Sequence, residues 1–368
     1  MTFEYYELPD YVRVGGFGDS KRPTQLYYYL WQIGIRRIAG RVIARQEIDI
    51  IHHVTFVKYW APTFLASLSK PLLWGPVGGG EMAPAAFFRS YSARGRIYEL
   101  LRDLGRWIGE HDPFVRSAAR RAVMTLASTA ETADRIRHIN RGAPVRVCPA
   151  IGVTDAELAL YDEHPSPPAR GVRFVSIGRL LHWKGFHLSI AAFARAAIPG
   201  AEYLVIGDGP ERSRLEALAE DLGVSDRVSF LGNIPRDQVL QHLARCHVLV
   251  HPSLHESGGG VCLEAMAARL PAIVLDLGGP ALHHADGAGV KVPAHTPEQA
   301  VNDIAVAMCD LAGDPERRTQ LAERGHERLL ERYRWSEKAR FYTSIYQAML
   351  GRGPAEGERP TVKEAVPH

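Results

Sequence analysis

The chain has 368 residues, more than one hydrophobic core of ordinary size holds, and its length predicts two domains. An apolar content of 46% and a charged content of 23% are typical of globular proteins, and a net charge of +3 gives no reason to expect nucleic acid as a partner. The four cysteines lie far apart without metal-ligand spacing, which indicates reduced thiols. No apolar run reaches membrane-spanning length and the acidic N-terminus does not resemble a signal peptide, so we expect a cytoplasmic protein.

The first half contains four predicted strands separated by long helical stretches. The strands are 48–56, 70–80, 123–128 and 144–150. We expect an N-terminal α/β domain over 1–162, followed by a proline-rich linker at 163–171.

The second half alternates short apolar strands with helices, a pattern that predicts βαβ units and a buried parallel sheet over 172–335. The strands are 172–178, 203–207, 228–232, 247–252, 271–276 and 288–293. The helices are 186–196, 211–222, 236–245 and one beginning near Gly260. A last helix is expected at 336–350, and the tail 351–368 lacks apolar periodicity and is predicted to be disordered.

Three consecutive glycines, Gly258 to Gly260, follow a predicted strand and open a predicted helix. Amides at a helix N-terminus bind anions such as a pyrophosphate, and glycine leaves them accessible. Glu264, one turn into the helix, could accept hydrogen bonds from a vicinal diol such as a ribose, while Glu256 would face another part of the same ligand. Taken singly, each glutamate is better explained by a solvated surface position, but with the three glycines at the end of a strand we favour the ligand-binding interpretation.

Two cations, Arg179 and Lys184, follow the strand 172–178 in the segment GRLLHWKGF. Ligands of open α/β sheets bind at the carboxyl ends of strands, so these cations could neutralise a diphosphate. The chain has no Asp-x-Asp triplet to hold a metal on a nucleotide diphosphate, and we expect neither metal nor cofactor. The Gly207-Asp208-Gly209 turn is a poor dinucleotide fingerprint, because Arg212 occupies the place of the third glycine.

Taken together, these segments resemble the C-terminal half of family-4 retaining glycosyltransferases. The similarity runs from about Val172 to Tyr346, through GRLLHWKGF (178–186), VIGDGPERSRLEALAEDLGVSDRVSFLGNIP (205–235), VHPSLHESGGGVCLEAMAARLPAIVLDLGG (250–279) and ERYRWSEKARFYTSIY (331–346). It implies the GT-B fold, with two Rossmann-like domains facing a cleft, a nucleotide-sugar on the C-terminal domain and an acceptor on the N-terminal one.

The resemblance also implies roles for particular residues. Arg179 and Lys184 would contact the donor diphosphate, Glu256 the sugar hydroxyls, and Glu264 the ribose. Backbone amides of Gly258, Gly259, Gly260 and Val261 would face the sugar and phosphates, and Gly232, Asn233 and Ile234 would line the base. Arg179, Lys184 and Glu256 would then act in catalysis, and the last helix would cross back onto the N-terminal domain.

The N-terminal half departs from the family in two ways. In the resembled family about two further βα units precede the segment that corresponds to IIHHVTF (50–56), so we expect an incomplete N-terminal domain. Gly75 stands where many members have a histidine, and the glycine form WGPVGGGE (74–81) resembles a bacterial subgroup of exopolysaccharide and lipopolysaccharide assembly. His52, His53 and Glu81 are then the acceptor-side candidates; packing at a strand end explains the two histidines equally well.

A predicted helix within 89–109 carries apolar residues on one face and arginines at its edges and opposite side. Such a helix can bind a membrane interface, and a lipid-linked acceptor would suit peripheral association with the cytosolic face of the inner membrane. We favour the simpler interpretation, in which the apolar face packs on the N-terminal sheet and the arginines are solvated.

The sequence therefore predicts a retaining glycosyltransferase that moves a hexose from a nucleotide-sugar to a glycan or lipid-linked saccharide in polysaccharide biosynthesis. Two alternatives remain: a non-catalytic remnant that binds nucleotide-sugar, and another GT-B enzyme such as a nucleotide-sugar epimerase.

Overall fold

The computed structural model describes residues 2–8, 24–54, 58–162 and 171–351. Nearly all of the predicted linker 163–171 and of the predicted disordered tail 351–368 lies outside these ranges. Among the helices within them, none combines the length and the apolar content needed to cross a bilayer.

The chain divides into two compact units, and each is assembled from separate stretches. The first unit comprises the described residues of Met1–Gly80, Leu101–Ala150 and Phe341–His368. The second comprises those of Glu81–Leu100 and Ile151–Arg340. The units thus interleave along the chain, whereas the boundaries predicted from the sequence follow chain order.

A four-stranded parallel sheet organises the first unit, in the order β1-β2-β3-β4. Its strands are β1 Ile51–His53, β2 Leu72–Val77, β3 Met124–Ala127 and β4 Val145–Val147. Each lies within a predicted strand, so the four predictions are confirmed. All six residues of β2 are buried, as expected of a strand covered on both faces.

Gly75 interrupts β2 for a steric reason. Its φ is +114°, and a Cβ atom there would lie 2.2 Å from the backbone oxygen of Leu126 on β3. The register between β2 and β3 shifts at this point, between Trp74 and Val77. No side chain fits this position, which accounts for the glycine where the resemblance leads one to expect histidine.

The helices that lie in the first unit in whole or in part are Thr24–Arg45, Ala93–His111, Pro113–Arg121, Ala130–Asn140 and Trp335–Met349. Helix Ala93–His111 belongs to the second unit up to Leu100 and to the first from Leu101, and Trp335–Met349 joins the first unit at Phe341. Pro113–Arg121 begins where the Asp112 carboxylate accepts the amides of Phe114 and Val115. Ile345 packs with Leu73, Leu126 and Cys148 in a small core cluster of the first unit.

A six-stranded parallel sheet organises the second unit, in the order β10-β9-β8-β5-β6-β7. Its strands are β5 Arg173–Ile177, β6 Glu202–Ile206, β7 Val228–Gly232, β8 Val248–His251, β9 Ala272–Leu275 and β10 Val290–Val292. All six predicted strands of the second half are confirmed. After β7 the chain returns to the other side of β5, so the loops that follow β5 and β8 diverge at the switch point where open α/β sheets bind ligands.

Helices follow the strands of this sheet along the chain. Those wholly within the second unit are Asp155–Asp162, Phe186–Ala196, Arg212–Asp221, Arg236–Ala244, Gly260–Ala267, Gly278–His283, Pro297–Gly313 and Pro315–Arg332. The helices predicted at 186–196, 211–222, 236–245 and from Gly260 are confirmed. Pro297–Gly313 begins with a capping box, in which Thr296 and Gln299 satisfy each other's backbone amides.

The preferred interpretation of the helix within 89–109 is wrong. Its apolar residues Leu101, Leu104 and Trp107 are 53–64% exposed, whereas Arg106 is only 4% exposed. The inward face carries glycines instead: a Cβ atom on Gly109 would lie 2.4 Å from the backbone oxygen of Trp60. At Gly109 the helix lies too close to Trp60 for any side chain, and the rest of the inward face carries buried polar residues such as Arg106, so the apolar stripe points outward.

Candidate functional site

Two loops meet at the carboxyl ends of β5 and β8, and they contain most of the residues that the sequence singles out. The first runs from Gly178 to Gly185 and the second from Pro252 to Gly259. The amide of Leu254 donates to the carbonyl oxygen of Trp183 over 2.8 Å. Gly185, with φ +72°, would place a Cβ atom 1.9 Å from the Pro252 oxygen, so only glycine permits this approach.

Glu256 is the centre of a buried ion network between these loops. Its Oε2 accepts from Lys184 Nζ over 2.7 Å and from His251 Nε2 over 2.8 Å. Its Oε1 accepts the amide of Gly259 over 3.1 Å, so one carboxylate joins both loops and the end of β8. The side chains of Lys184 and Glu256 are only 16% and 17% exposed.

This network fixes the ionisation of Glu256. Burial by itself favours the neutral acid and raises the pKa of the carboxyl. The attraction and hydrogen bonds of His251 and Lys184 outweigh burial and hold the pKa of Glu256 well below its usual range. The carboxylate is therefore negative at every pH at which the protein would normally work.

Arg179 supplies a second cation near the same strand end. It follows Gly178, is exposed, and forms no side-chain hydrogen bond or ion pair with another residue of the described ranges. A fixed cation without an internal partner at a strand end is available to an anionic ligand. Arg179 and Lys184 are thus brought to one edge of the sheet, as predicted, but Lys184 is already engaged by Glu256.

The glycine segment opens helix Gly260–Ala267. Gly259 has φ +68°, and a Cβ atom there would lie 3.1 Å from Pro280 Cγ. Gly260 is exposed, and a Cβ atom there would meet nothing within 4 Å, so the N-terminal end of the helix faces open space at this residue. The Gly260 amide at this helix start is therefore accessible from outside, whereas the Gly259 amide is taken by Glu256. Val261 is half-buried in the first turn.

The turn at Gly278 and Gly279 supports this segment from behind. A Cβ atom on Gly278 would lie 2.5 Å from the backbone carbonyl oxygen of Glu256, and the Gly279 amide donates to the same carbonyl oxygen over 2.8 Å. His283, in the same helix, bonds the carbonyl oxygen of Gly258 through Nε2 and the Tyr333 hydroxyl through Nδ1, the latter over 2.9 Å. Burial lowers the pKa of His283 to about 3, so the ring is neutral, with its proton on Nε2.

Glu264 lies one turn into the same helix. Arg236 Nη2 lies 3.6 Å from Glu264 Oε1, and the glutamate side chain is 29% exposed. Burial raises the pKa of Glu264, and Arg236 partly offsets this effect. A half-buried carboxylate with one loose cationic partner keeps lone pairs free for hydroxyl donors.

The segment predicted to line a base follows β7. Gly232, with φ +69°, ends the strand and accepts the Gly207 amide over 2.9 Å. Asn233 is exposed and Ile234 is half-buried against the core of the sheet. This arrangement leaves Asn233 open to solvent at the carboxyl edge of the sheet.

Residues 81–100 precede the sheet in the chain yet belong to its unit, and two of their carboxylates hold the site loops. Glu81 Oε2 accepts the Ser257 hydroxyl over 2.5 Å. Glu99 Oε1 lies 2.8 Å from His182 Nε2 and 2.9 Å from His255 Nε2, and thereby ties the two loops together. Glu81, predicted as an acceptor-side residue, thus lies behind the glycine segment in the second unit.

The other two acceptor-side candidates lie on β1 in the first unit. His52 bonds the Gly75 oxygen through Nε2 over 2.7 Å and the Tyr346 hydroxyl through Nδ1 over 2.6 Å. Burial lowers the pKa of His52. His53 is buried, with its ring nitrogens 3.2 Å from the Tyr28 hydroxyl and 3.1 Å from that of Thr63. Both rings are therefore engaged within the unit.

Sequence reasoning missed the residues that position the loops: His251, His283, Glu99 and the Gly278-Gly279 pair. A histidine that ends a buried apolar strand next to a candidate site, as His251 does, is a signal that could have been used. Glu99 gives no such signal, because its partners are 83 and 156 positions away. Within the described residues, no group of three or more His, Cys, Asp or Glu side chains is placed to hold a metal ion.

Comparison with known proteins finds similarity to glycosyltransferases over the second half of the chain. Residues 163–328, slightly under half of the chain, match the family model described as Glycosyl transferases group 1, and over this stretch the chain is similar to that family. The lipopolysaccharide core biosynthesis glycosyltransferase LpsE of Rhizobium meliloti (strain 1021) is 35% identical over 230 residues. That match covers 62% of this chain and 64% of LpsE, slightly under two thirds of the relative's length.

Solved structures extend the likeness to most of the chain at the level of the fold. Sucrose-phosphate synthase of Thermosynechococcus elongatus has a TM-score of 0.65 at 21% identity and covers 91% of this chain and 82% of its own. Anabaena HepE, in complex with UDP and glucose, has a TM-score of 0.60 at 20% identity and covers 84% and 81%. The predicted fold class, α/β with parallel sheets of the GT-B type, is confirmed.

Proposed function

We propose that this chain is a retaining glycosyltransferase that moves a hexose from a nucleotide-sugar to a glycan or lipid-linked saccharide. One observation carries the proposal: Arg179, Lys184 and the open N-terminus of helix Gly260–Ala267 lie at the switch point of the six-stranded sheet, around an ionised Glu256. The nature of the acceptor is supported by the likeness to a lipopolysaccharide core glycosyltransferase.

The donor diphosphate would bind between the two loops. Arg179 would contact it through its planar guanidinium, while the amide of Gly260 would donate to a phosphate or sugar oxygen. Lys184, now 2.7 Å from Glu256, would share its ammonium between that carboxylate and the phosphates. The three ammonium protons allow both contacts at once.

Glu256 would bind the sugar rather than donate a proton. A carboxylate whose pKa is held far below its usual range cannot act as a general acid near neutral pH, but it can accept hydrogen bonds from sugar hydroxyls. Glu264 would accept the two ribose hydroxyls one turn deeper, and Gly232 to Ile234 would line the base.

In the reaction the bond between the anomeric carbon and the diphosphate oxygen breaks, and negative charge develops on the leaving diphosphate. Arg179, Lys184 and the helix N-terminus would stabilise that charge. The acceptor oxygen then bonds to the anomeric carbon on the same face, and its proton leaves with the departing phosphate. Lys184 would act without rearrangement, because its bond to Glu256 already fixes its position.

The test is calorimetric titration with UDP-, GDP- and ADP-sugars, followed by assay of transfer from the donor that binds. Arg179→Ala should weaken binding of the free nucleoside diphosphate, because it removes a phosphate contact. Glu256→Gln should abolish transfer with only a modest loss of donor affinity. Arg195→Ala, which changes an exposed arginine of helix Phe186–Ala196, is the control and should alter neither.

The outcomes separate the alternatives. Binding without transfer to any saccharide would favour a nucleotide-sugar-binding protein, and conversion of the donor without an acceptor would favour an epimerase. Failure of every nucleotide-sugar to bind would refute the proposal itself.

A further inference from the structure

Helix Ala93–His111 presents a continuous apolar face to solvent. Ile97, Leu100, Leu101, Leu104, Trp107 and Ile108 are each 53–64% exposed. At 3.6 residues per turn these positions fall on one side of the helix and form a stripe about 17 Å long. Exposed side chains of this size usually occur singly on a protein surface, so a stripe of six indicates an interaction surface.

The charges of the helix are arranged around this stripe. Arg94 and Arg96 are exposed and, by helical spacing, lie one on each edge of it. The three acidic residues of the helix are each paired. Glu99 contacts two histidines and Glu110 is paired with Arg135, while Asp103, whose side chain is 43% exposed near the Arg96 edge, is paired with Arg106 over 2.8 Å. Because Asp103 is neutralised by Arg106, the outward face is apolar in the middle with a net positive charge at its edges.

We propose that this face docks onto a bilayer that contains anionic phospholipid, with the helix parallel to the membrane plane. The apolar side chains would enter the boundary between headgroups and acyl chains, and Arg94 and Arg96 would bind lipid phosphates. A second copy of the chain fits the charges less well, because a two-fold contact would bring the same positive edges together. The inference does not rest on the proposed reaction, since the helix contributes its outward face alone.

The inward face gives the helix the rigidity that such docking needs. Gly109 lies against the backbone of Trp60, and Arg106 is buried and paired with Asp103 over 2.8 Å. Helix Ala93–His111 cannot rotate its apolar stripe inward without placing Leu and Trp side chains where only glycine fits. The stripe must find its partner outside.

Flotation of the purified full-length chain with vesicles tests the proposal, in the absence of any donor sugar. The protein should float with vesicles of phosphatidylcholine and phosphatidylglycerol and much less with phosphatidylcholine alone. Leu104→Glu combined with Trp107→Glu should reduce vesicle-bound protein at least about tenfold, because it places two charges in the apolar stripe. Val306→Glu, at a valine that is 59% exposed on another helix, is the matched control and should float normally.

Two further measurements complete the test. Arg94→Gln with Arg96→Gln should remove most of the preference for phosphatidylglycerol. Brominated lipid should quench tryptophan fluorescence in the native chain but not in Trp107→Phe, which should still float. Melting temperatures check that each variant is folded. We expect them to be close to the native value, because the substituted positions are exposed.

Equal flotation of the native chain and the double-glutamate variant would overturn the proposal, as would no flotation of the native chain. A native mass of two chains that falls to one in the variant, with flotation unchanged, would assign the face to self-association instead. Donor binding can succeed or fail independently of all these results.

Discussion

The ion pair between Lys184 and Glu256 allows the effect of Lys184 on donor affinity to be separated from its effect on the stability of the fold. We consider Lys184→Met, which keeps the length of the side chain and removes its charge. At 2.7 Å the bare attraction is on the order of 6 kcal/mol for an effective dielectric constant of about 20. Removing one member of a buried pair typically costs about 3–5 kcal/mol, much of it from the charge left behind.

The cost here should be smaller, because Glu256 keeps a second partner. His251 Nε2 remains 2.8 Å from the same oxygen, and both members of the pair retain 16–17% exposure. We therefore expect Lys184→Met to lower the free energy of unfolding by about 2 kcal/mol. Urea denaturation near neutral pH measures this directly.

The double variant Lys184→Met with Glu256→Gln is the control. It removes both charges, so the free energy of unfolding should recover most of the loss, with a coupling energy of about 2 kcal/mol between the sites. Donor affinity should not recover, because the proposed phosphate contact of Lys184 is still missing. We expect a dissociation constant at least tenfold above the native one, or about 1.4 kcal/mol.

Two results would refute this reasoning. Additive effects of the two substitutions on unfolding would mean that the pair is not coupled in solution. Full recovery of donor affinity in the double variant would mean that Lys184 acts only by holding Glu256.

Three further predictions concern the same loops. Gly260→Ala should leave the melting temperature unchanged but weaken donor binding, whereas Gly259→Ala, at φ +68° and 3.1 Å from proline, should lower stability by about 1–2 kcal/mol, as thermal melts and donor titrations would reveal. Burial raises the pKa of Glu264, and a ribose diol would bind its ionised form, so UDP-sugar affinity should fall as the pH drops towards that raised pKa. Glu264→Gln should give a flat pH profile of affinity. An unchanged slope in this variant would remove Glu264 from the proposed ribose site. Glu99→Gln should raise the donor KM, and by more than its effect on the melting temperature would explain. Glu211→Gln, which changes a buried carboxylate bonded to Ser92 and Arg214, is the control and should shift only the melting temperature.

The strong pairing of Glu256 also sets the response of the fold to acid. A carboxyl whose folded pKa lies below its unfolded value stabilises the native state above about pH 4.5, the ordinary glutamate range, and that contribution is lost as the pH falls further. Glu256→Gln should therefore flatten part of the acid limb of a stability curve measured by urea denaturation. An identical acid limb in the variant would contradict the low pKa.

The repeating part of the fold could be predicted because it depends on local sequence. Each apolar run of the second half, such as 203–207 and 271–276, is long enough to be a buried strand and ends at a turn residue. The glycine segment at Gly258 was equally clear, since three glycines between a strand and a helix have few structural explanations.

The pairing of distant residues could not be predicted in this way. Lys184 and Glu256 are 72 positions apart, and the sequence says only that each follows a strand. The orientation of helix Ala93–His111 was missed because helical periodicity identifies an apolar face but not the direction in which it points. Gly95 and Gly109 carried that information, since small residues on the opposite face indicate the side of close packing.

The interleaving of the two units bears on the order in which the chain can fold. Residues 81–100 are synthesised before any strand of the six-stranded sheet, and the rest of their unit begins only at Ile151. Their docking closes a loop that contains β3 and β4. The entropic cost of closing that loop grows only slowly with its length, but folding cannot avoid it. A fragment that starts at Ile151 would carry all six strands, yet His182 and His255 would lack the carboxylate of Glu99, so the two loops of the candidate site would be assembled without the residue that holds them together.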